Sequence, residues 1–211
     1  MTSMSVKPPR LPEELPALKP SEPLHDGESF SGCRMEHCVL TGEARGLGLT
    51  CAVLRNVRFA GALPAAEFED AVFDCCDFSN VDLHDAVLWR AVFRNCRMTG
   101  VNFSGASLKD IRMENCVLPY ANFHFGRMER AAFCGCNCEN ADFAEAVLKA
   151  AEFSRSSLLR AQMSGTPLAG IDFTSCEIDG LGARPEDLRG CVFTAEQAVC
   201  AAKILGVTIR F

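Results

Sequence analysis

From residue 66 onward a large apolar residue returns at every fifth position. The series opens with Phe68, Phe73 and Phe78 and closes with Leu168, Phe173 and Ile178, 23 positions without a slip, of which ten are Phe, seven Leu and four Met. Two residues before each stands a small or slim residue, 11 times Ala and five times Cys. Asp or Asn is common between the two, at Asp77, Asp82, Asn102, Asn122, Asn137, Asp142 and Asp172. A step of five matches neither the 3.6 period of a helix nor the alternation of a strand. Two inward-pointing positions per step require the chain to turn at every fifth residue and close on itself. Stacked turns then bury a continuous core along an axis, which is a solenoid.

The units Ala141-Asp142-Phe143-Ala144-Glu145 and Ala121-Asn122-Phe123 resemble those of the pentapeptide-repeat family. The resemblance covers about residues 28–180. It implies an all-β fold, a right-handed quadrilateral parallel β-helix with four pentapeptides to the coil. Residues one coil apart then stack. Cys76, Cys96, Cys116, Cys136 and Cys176 do, interrupted by Ser156, as do Phe73, Phe93, Met113, Phe133, Phe153 and Phe173. Most of the 13 cysteines are therefore expected as small core residues. Cys75 and Cys134 are expected to be exposed. Cys134, Cys136 and Cys138 lie along a line rather than around an ion, so no metal and no cofactor is expected.

The chain divides into three parts by composition. Residues 1–27 hold six of the ten prolines and read as a flexible arm. Residues 28–183 form the β-helix. Its early part is irregular: Phe30, Met35 and Leu40 keep the step, but the frame shifts by one before Leu54 and again between Phe59 and Phe68. The breaks fall in 41–53 and 60–66 and read as connector loops, with exposed interaction loops as the alternative. In residues 184–211, Thr194 and Gln197 form a capping-box pattern ahead of a helix over about 195–205. Gly206 stops it. Its apolar stripe and the tail after it (Ala198, Val199, Ala202, Leu205, Val207, Ile209 and Phe211) are expected to cap the last coil or to form a homodimer interface. The stretch resembles the C-terminal segment of the gyrase-protecting branch of the family, which dimerises there.

The net charge of −6 argues against a basic nucleic-acid-binding surface. No apolar run reaches the roughly 20 residues of a membrane span. The N-terminus has no signal-like apolar region, so a cytoplasmic protein is expected. Residues 67–183 carry 17 acids and ten bases. Sorted by coil face, the column of Leu83 has Asp82, Asp85, Asp142 and Glu145 and no Lys or Arg. A second acidic cluster, Glu67, Glu69, Asp70, Asp74 and Asp77, opens the regular stem. The gyrase-protecting branch shows an acidic face proposed to mimic DNA. The resemblance thus implies a partner such as DNA gyrase or topoisomerase IV, contacted through the base-free face. Five coils span about 24 Å, over which duplex DNA carries about 14 charges, so four acids imitate it only weakly. The alternative is an interaction scaffold for another protein. No enzyme is expected, because a convex rod lacks a catalytic cleft and His84 beside Asp85 has no nucleophile.

Overall fold

A computed structural model describes residues 5–20, 23–204, 206 and 207 of the 211. Its strands are β1 (Ser29–Glu36), β2 (Val39–Thr41), β3 (Gly48–Arg55), β4 (Arg58–Ala60), β5 (Glu67–Asp74), β6 (Val87–Arg94), β7 (Ser107–Glu114), β8 (Arg127–Cys134) and β9 (Val147–Ser154). The long strands pair in parallel as one sheet in the order β1-β3-β5-β6-β7-β8-β9, with β2 and β4 pairing beside it. From β5 on, each coil is four pentapeptides: Phe73 lies opposite Phe93 and Phe133 opposite Phe153. The other two faces are joined by single parallel bridges, such as Asp77 with Arg97 and Asp82 with Asn102.

The turns explain the five-residue step. Residues at that spacing adopt left-handed backbone conformations: Asp70, Cys75, Asn80 and Asp85 have φ of 53°, 54°, 58° and 57°, and the pattern repeats in the coils above. Between these corners, every member of the apolar series is buried except Leu148, which is half-buried. Phe rings stack along the axis, Phe73 on Phe93 at 4.7 Å and Phe123 on Phe143 at 4.8 Å. The Asp and Asn residues between apolar positions are turn-makers. Each of Asp77, Asp82, Asn102, Asn122, Asn137, Asp142 and Asp172 accepts the backbone N–H two residues on, at 2.8–3.1 Å.

The early frame shifts are deletions. β1 pairs with β3, and β3 with β5, one residue short of the regular repeat: Phe30 lies opposite Leu49, and Leu49 opposite Phe68. The missing residue belongs to the face that follows β2 and β4. The core there runs Leu40 to Ala44 and Phe59 to Leu63, a step of four. Neither the connector loops nor the interaction loops expected in 41–53 and 60–66 are present. The tighter corner is made by Gly42 (φ 120°) and Gly61 (φ 134°), and a Cβ on Gly61 would overlap the Gly42 carbonyl.

The cysteine ladder is in place. Cys76, Cys96, Cys116, Cys136, Cys138 and Cys176 are buried. The thiols of Cys96, Cys116, Cys136 and Cys176 lie 3.4–3.5 Å from a carbonyl of the preceding coil. Ser156 takes the same place, its hydroxyl donating to Phe133 O at 3.2 Å. Burial pushes the Cys138 and Cys176 thiols up. Cys75 is exposed as expected, but Cys134 is not: at the end of β8 it lies in register between Glu114 and Ser154 and is 8% accessible. Native protein is expected to alkylate at Cys75, with Cys96, Cys116, Cys136 and Cys138 reacting only on unfolding. Peptide mass mapping checks this, and rapid native labelling of Cys136 would contradict the assigned register.

The N-terminal segment is extended but docked, which differs from the flexible arm expected for residues 1–27. Leu18 N–H donates to Arg34 O and Arg34 N–H to Pro16 O, tying residues 16–18 to β1. Further back, Arg10 N–H donates to Asp70 at 2.8 Å and Lys7 N–H approaches Asp110 at 3.2 Å. The segment thus runs as a strap along the stack. Its anchor is one corner column, Asp70, Arg90, Asp110 and Arg130, in which opposite charges alternate up successive coils. Asp70, Arg90 and Asp110 are buried. Their carboxylates need more donors than the Arg residues supply, and the strap's backbone N–H groups provide them.

At the other end, α1 (Ala195–Ile204) closes the stack. The capping box forms: Thr194 N–H donates to Gln197 Oε1 and Gln197 N–H to Thr194 Oγ1. The Gln197 amide also donates to Phe173 O and Cys176 O, fastening the helix to the last coil. The face turned to Ile178, Leu181 and Phe193 consists of Cys200, Ala201 and Ile204. Ala198 points away and is exposed, while Val199 and Ala202 are half-buried. Val207 is exposed at 48%. Leu205, Ile209 and Phe211 lie outside the described residues.

Candidate functional site: the face of Asp82 to Glu145

This face is built from one pentapeptide of each coil, between the corner at Asn80 and the corner at Asp85, and recurs once per coil. The structure brings Asp82, Asp85, Asp142 and Glu145 onto it, but in two different roles. Asp82 and Asp142 are turn-makers. Asp82 accepts His84 N–H at 3.1 Å and the Asn102 amide at 2.8 Å, with His84 Nδ1 at 3.0 Å. Asp142 accepts Ala144 N–H at 2.8 Å, with His124 Nδ1 at 3.2 Å. Their carboxylates are half-exposed and already engaged. Asp85 and Glu145 stand at corners, φ 57° and 54°, and are exposed.

The face is free of Lys and Arg over the five coils from Val81 to Gly165, but its column continues at Gly182, paired with Gln162, and there brings in a base. Arg184, past the last regular coil, donates to Glu145 at 2.6 Å. The His–Asp contact is His84 with Asp82, two residues back, rather than with the adjacent Asp85.

The second acidic cluster does not form one surface. Asp70 is buried at 5% accessibility against Arg90, and Glu69 pairs with the same guanidinium at 2.6 Å. Burial alone would raise the Asp70 carboxyl, but the Arg90 hydrogen bonds and the Arg10 N–H outweigh it and hold it low. Asp74 accepts from Asn95 at 3.4 Å and Asp77 makes its own turn. Only Glu67 of this cluster is fully exposed.

Two exposed rings were not singled out from the sequence. Tyr120 and Phe125 occupy the two corners that flank this face on one coil and are 64% and 63% accessible. The signal was present: both fall at the corner step, where neighbouring coils carry Asn80, Gly100 and Asn140 or Asp85, Gly105 and Glu145.

A pentapeptide-repeat region model matches residues 66–143, and a model of eight pentapeptide-repeat copies matches residues 136–174. The chain belongs to the pentapeptide-repeat family. Among solved structures, a trypsin-treated variant of QnrB1, described as a plasmid-mediated fluoroquinolone resistance protein, is 21% identical. The overlap covers 89% of this chain and 98% of that one at a TM-score of 0.47. HetL, a pentapeptide repeat protein involved in heterocyst differentiation regulation from the cyanobacterium Nostoc sp. strain PCC 7120, is 19% identical. It overlaps 79% of this chain and 85% of its own at a TM-score of 0.38. A pentapeptide repeat protein from the Arabidopsis thaliana thylakoid lumen is 24% identical over 51% of this chain and 76% of that one, TM-score 0.36. No curated protein matches the chain in sequence. No described helix is long and apolar enough to cross a membrane.

Proposed function

We propose that this pentapeptide-repeat rod is a DNA-mimicking interaction protein, not an enzyme. In this reading it binds type II topoisomerase, DNA gyrase or topoisomerase IV, in the cytoplasm, and protects it from gyrase-targeting antibiotics or toxins. The observation that carries the reading is the face of Asp82, Asp85, Asp142 and Glu145. It repeats at the ~4.8 Å spacing of paired strands and carries no Lys or Arg over the five coils from Val81 to Gly165. A basic DNA-binding saddle is complementary to such a surface. The resemblance of the C-terminal segment to that of the gyrase-protecting branch supports the same reading.

A second reading, a scaffold for a different protein, is favoured by one observation. Asp82 and Asp142 serve their own turns and Glu145 is held by Arg184, which leaves little free charge on the face.

The test is gyrase supercoiling and drug-stabilised cleavage over a range of salt. The turn-makers change to Asn (Asp82→Asn, Asp142→Asn), since Asn102 and Asn122 make the same turn in the same column. The corners change to Lys (Asp85→Lys, Glu145→Lys), since Arg90 and Arg160 tolerate that conformation. The combined variant is expected to lose the effect. Asp74→Lys with Glu152→Lys, on another face, is expected to keep it. The wild-type effect weakens as salt rises. No wild-type effect at micromolar protein leaves the scaffold reading.

The homodimer is part of the same proposal, formed by the helix surface that the cap leaves free, Ala198 with Val199 and Ala202. Ala198→Glu is expected to give a monomer with an unchanged melting temperature. Ala201→Glu, facing Ile178 and Leu181, buries an unpaired charge and loosens the last coil. Light scattering with thermal melts separates the two, and an unchanged mass for Ala198→Glu removes the dimer.

A further inference from the structure

Tyr120 and Phe125 are out of place by every criterion that governs the rest of the rod. Their backbones are left-handed, φ 60° and 57°, a region unfavourable for bulky side chains. Their rings are about two-thirds exposed, so burial gives nothing back. In the flanking coils the same corners are Asn80, Gly100 and Asn140, or Asp85, Gly105 and Glu145, residues that suit the conformation or the solvent. Neither local conformation nor core packing accounts for two aromatic rings one corner apart on one coil.

Their surroundings specify what they fit. Directly below both rings the corners are glycines, and side chains of the coil beneath fill the space over them: a Cβ at Gly100 would meet Asn80 Oδ1 at 2.6 Å. The Asp85 carboxylate leans over Gly105 from the next coil down, where a Cβ would overlap its Oδ1. Glu145, on the coil above Phe125, turns its carboxylate away from that ring, over Gly165 on the next coil up. His124 packs edge-on against Phe125 at 4.0 Å and 88°, steadying its orientation. The nearby bases are already used: Arg160 pairs with Glu139 and Arg184 with Glu145. Asp82, Asp85 and Asp142 have no Lys or Arg partner among the described residues. The patch is two exposed aromatic rings with the Asp85 carboxylate at the corner below Phe125.

We infer that Tyr120 and Phe125 are the anchor of the partner-binding face and that they seat an arginine-bearing segment of a protein partner. A guanidinium stacks on the Phe125 ring face while its N–H groups reach the Asp85 carboxylate at the corner below. Lysine, a compact and strongly hydrated charge, does not combine the two contacts as well. An apolar segment would desolvate the carboxylates without pairing them. The negative surroundings repel nucleic acid. Aromatic and arginine anchors of this kind concentrate binding energy at protein interfaces. The inference rests on the reading of this face as the contact surface, but not on the partner being a topoisomerase.

The variants are Tyr120→Asn and Phe125→Asn, alone and together, since Asn80 and Asn140 occupy the Tyr120 corner in other coils and Phe125 has the same left-handed conformation as they do. Their melting temperatures are expected to equal or exceed that of the wild type. The probes are a short fluorescent peptide alternating arginine and glycine, its lysine counterpart of equal charge, and a neutral leucine–glycine peptide, read by anisotropy. The wild type is expected to prefer the arginine peptide over the lysine peptide by about tenfold. The double variant is expected to lose that preference while keeping weak, salt-sensitive binding to both. The inference is overturned if the double variant retains the preference, if the leucine peptide binds as well as the arginine peptide, or if the wild type binds no peptide at millimolar concentration. The same variants in the supercoiling assay separate the two proposals. Loss of effect in the Asp85 and Glu145 variant alone, with the aromatic variant active, sinks the anchor and spares the topoisomerase reading. Arginine preference that depends on the rings, with no wild-type effect on gyrase, does the reverse.

Discussion

Phe133→Ala is expected to lower the unfolding free energy by about 3–5 kcal/mol. Phe133 is 1% accessible, with Phe153 stacked on it at 5.0 Å and Phe123 and Phe143 edge-on at 5.8 Å. A four-sided coil encloses few side chains per layer, so neighbouring rings have little room to collapse into the gap. A solenoid is also held only by contacts between adjacent coils, so a weakened layer is a weak point for the whole stack. Glu145→Ala, at an exposed corner, is expected to change stability by no more than about 0.5 kcal/mol. Denaturant titration of the two variants checks the register. Equal effects would mean that inward and outward positions are misassigned.

Arg90→Ala is the other large effect, about 3–5 kcal/mol. The Arg90 and Asp70 side chains are 4% and 7% accessible, joined by hydrogen bonds of 2.5 and 2.6 Å. Truncating the guanidinium leaves Asp70 buried with only the strap's Arg10 N–H as a donor. The paired change Asp70→Leu with Arg90→Met removes both charges and is expected to recover most of the loss, because an apolar pair has no desolvation cost to offset. The same column sets an acid limit. The Arg130 hydrogen bonds, opposed by burial, hold the Asp110 carboxyl down at about 2. A carboxyl lowered on folding stabilises the fold above its unfolded value, and that contribution is lost as pH falls through about 2. Acid unfolding of wild type is therefore expected to set in only as Asp110 and its neighbours protonate. An Arg130→Gln variant is expected to unfold at higher pH.

The parts of the fold that repeat were readable from residue order, because a five-residue step leaves one geometry in which both apolar positions point inward. The ring columns, the thiol ladder and the turn-making Asp and Asn residues all follow from that step. The capping box at Thr194 and Gln197 was readable because its two partners are close in the chain. What escaped was set by distance or by small changes in count. The short faces at Gly42 and Gly61 differ from the rest by one residue each, and a frame shift alone does not say whether residues are added or removed. The strap's partners, Asp70 and Asp110, lie 60 and 103 residues from Arg10 and Lys7. Charges counted by face concealed the alternation of Asp70, Arg90, Asp110 and Arg130, which sorting by corner exposes. The same counting treated Asp82 and Asp142 as free surface acids and passed over Tyr120 and Phe125, which carry no charge.

We propose that the face of Asp82 to Glu145 is where a topoisomerase binds. The most direct measurement is equilibrium binding of wild type, the combined face variant and the Asp74 and Glu152 control to immobilised gyrase, at low and physiological salt. Wild-type binding is expected to be measurable and weakened by salt, with the control within about threefold of it and the face variant weaker by at least about tenfold. Equal binding by all three proteins, or binding lost equally in the face variant and the control, would contradict it.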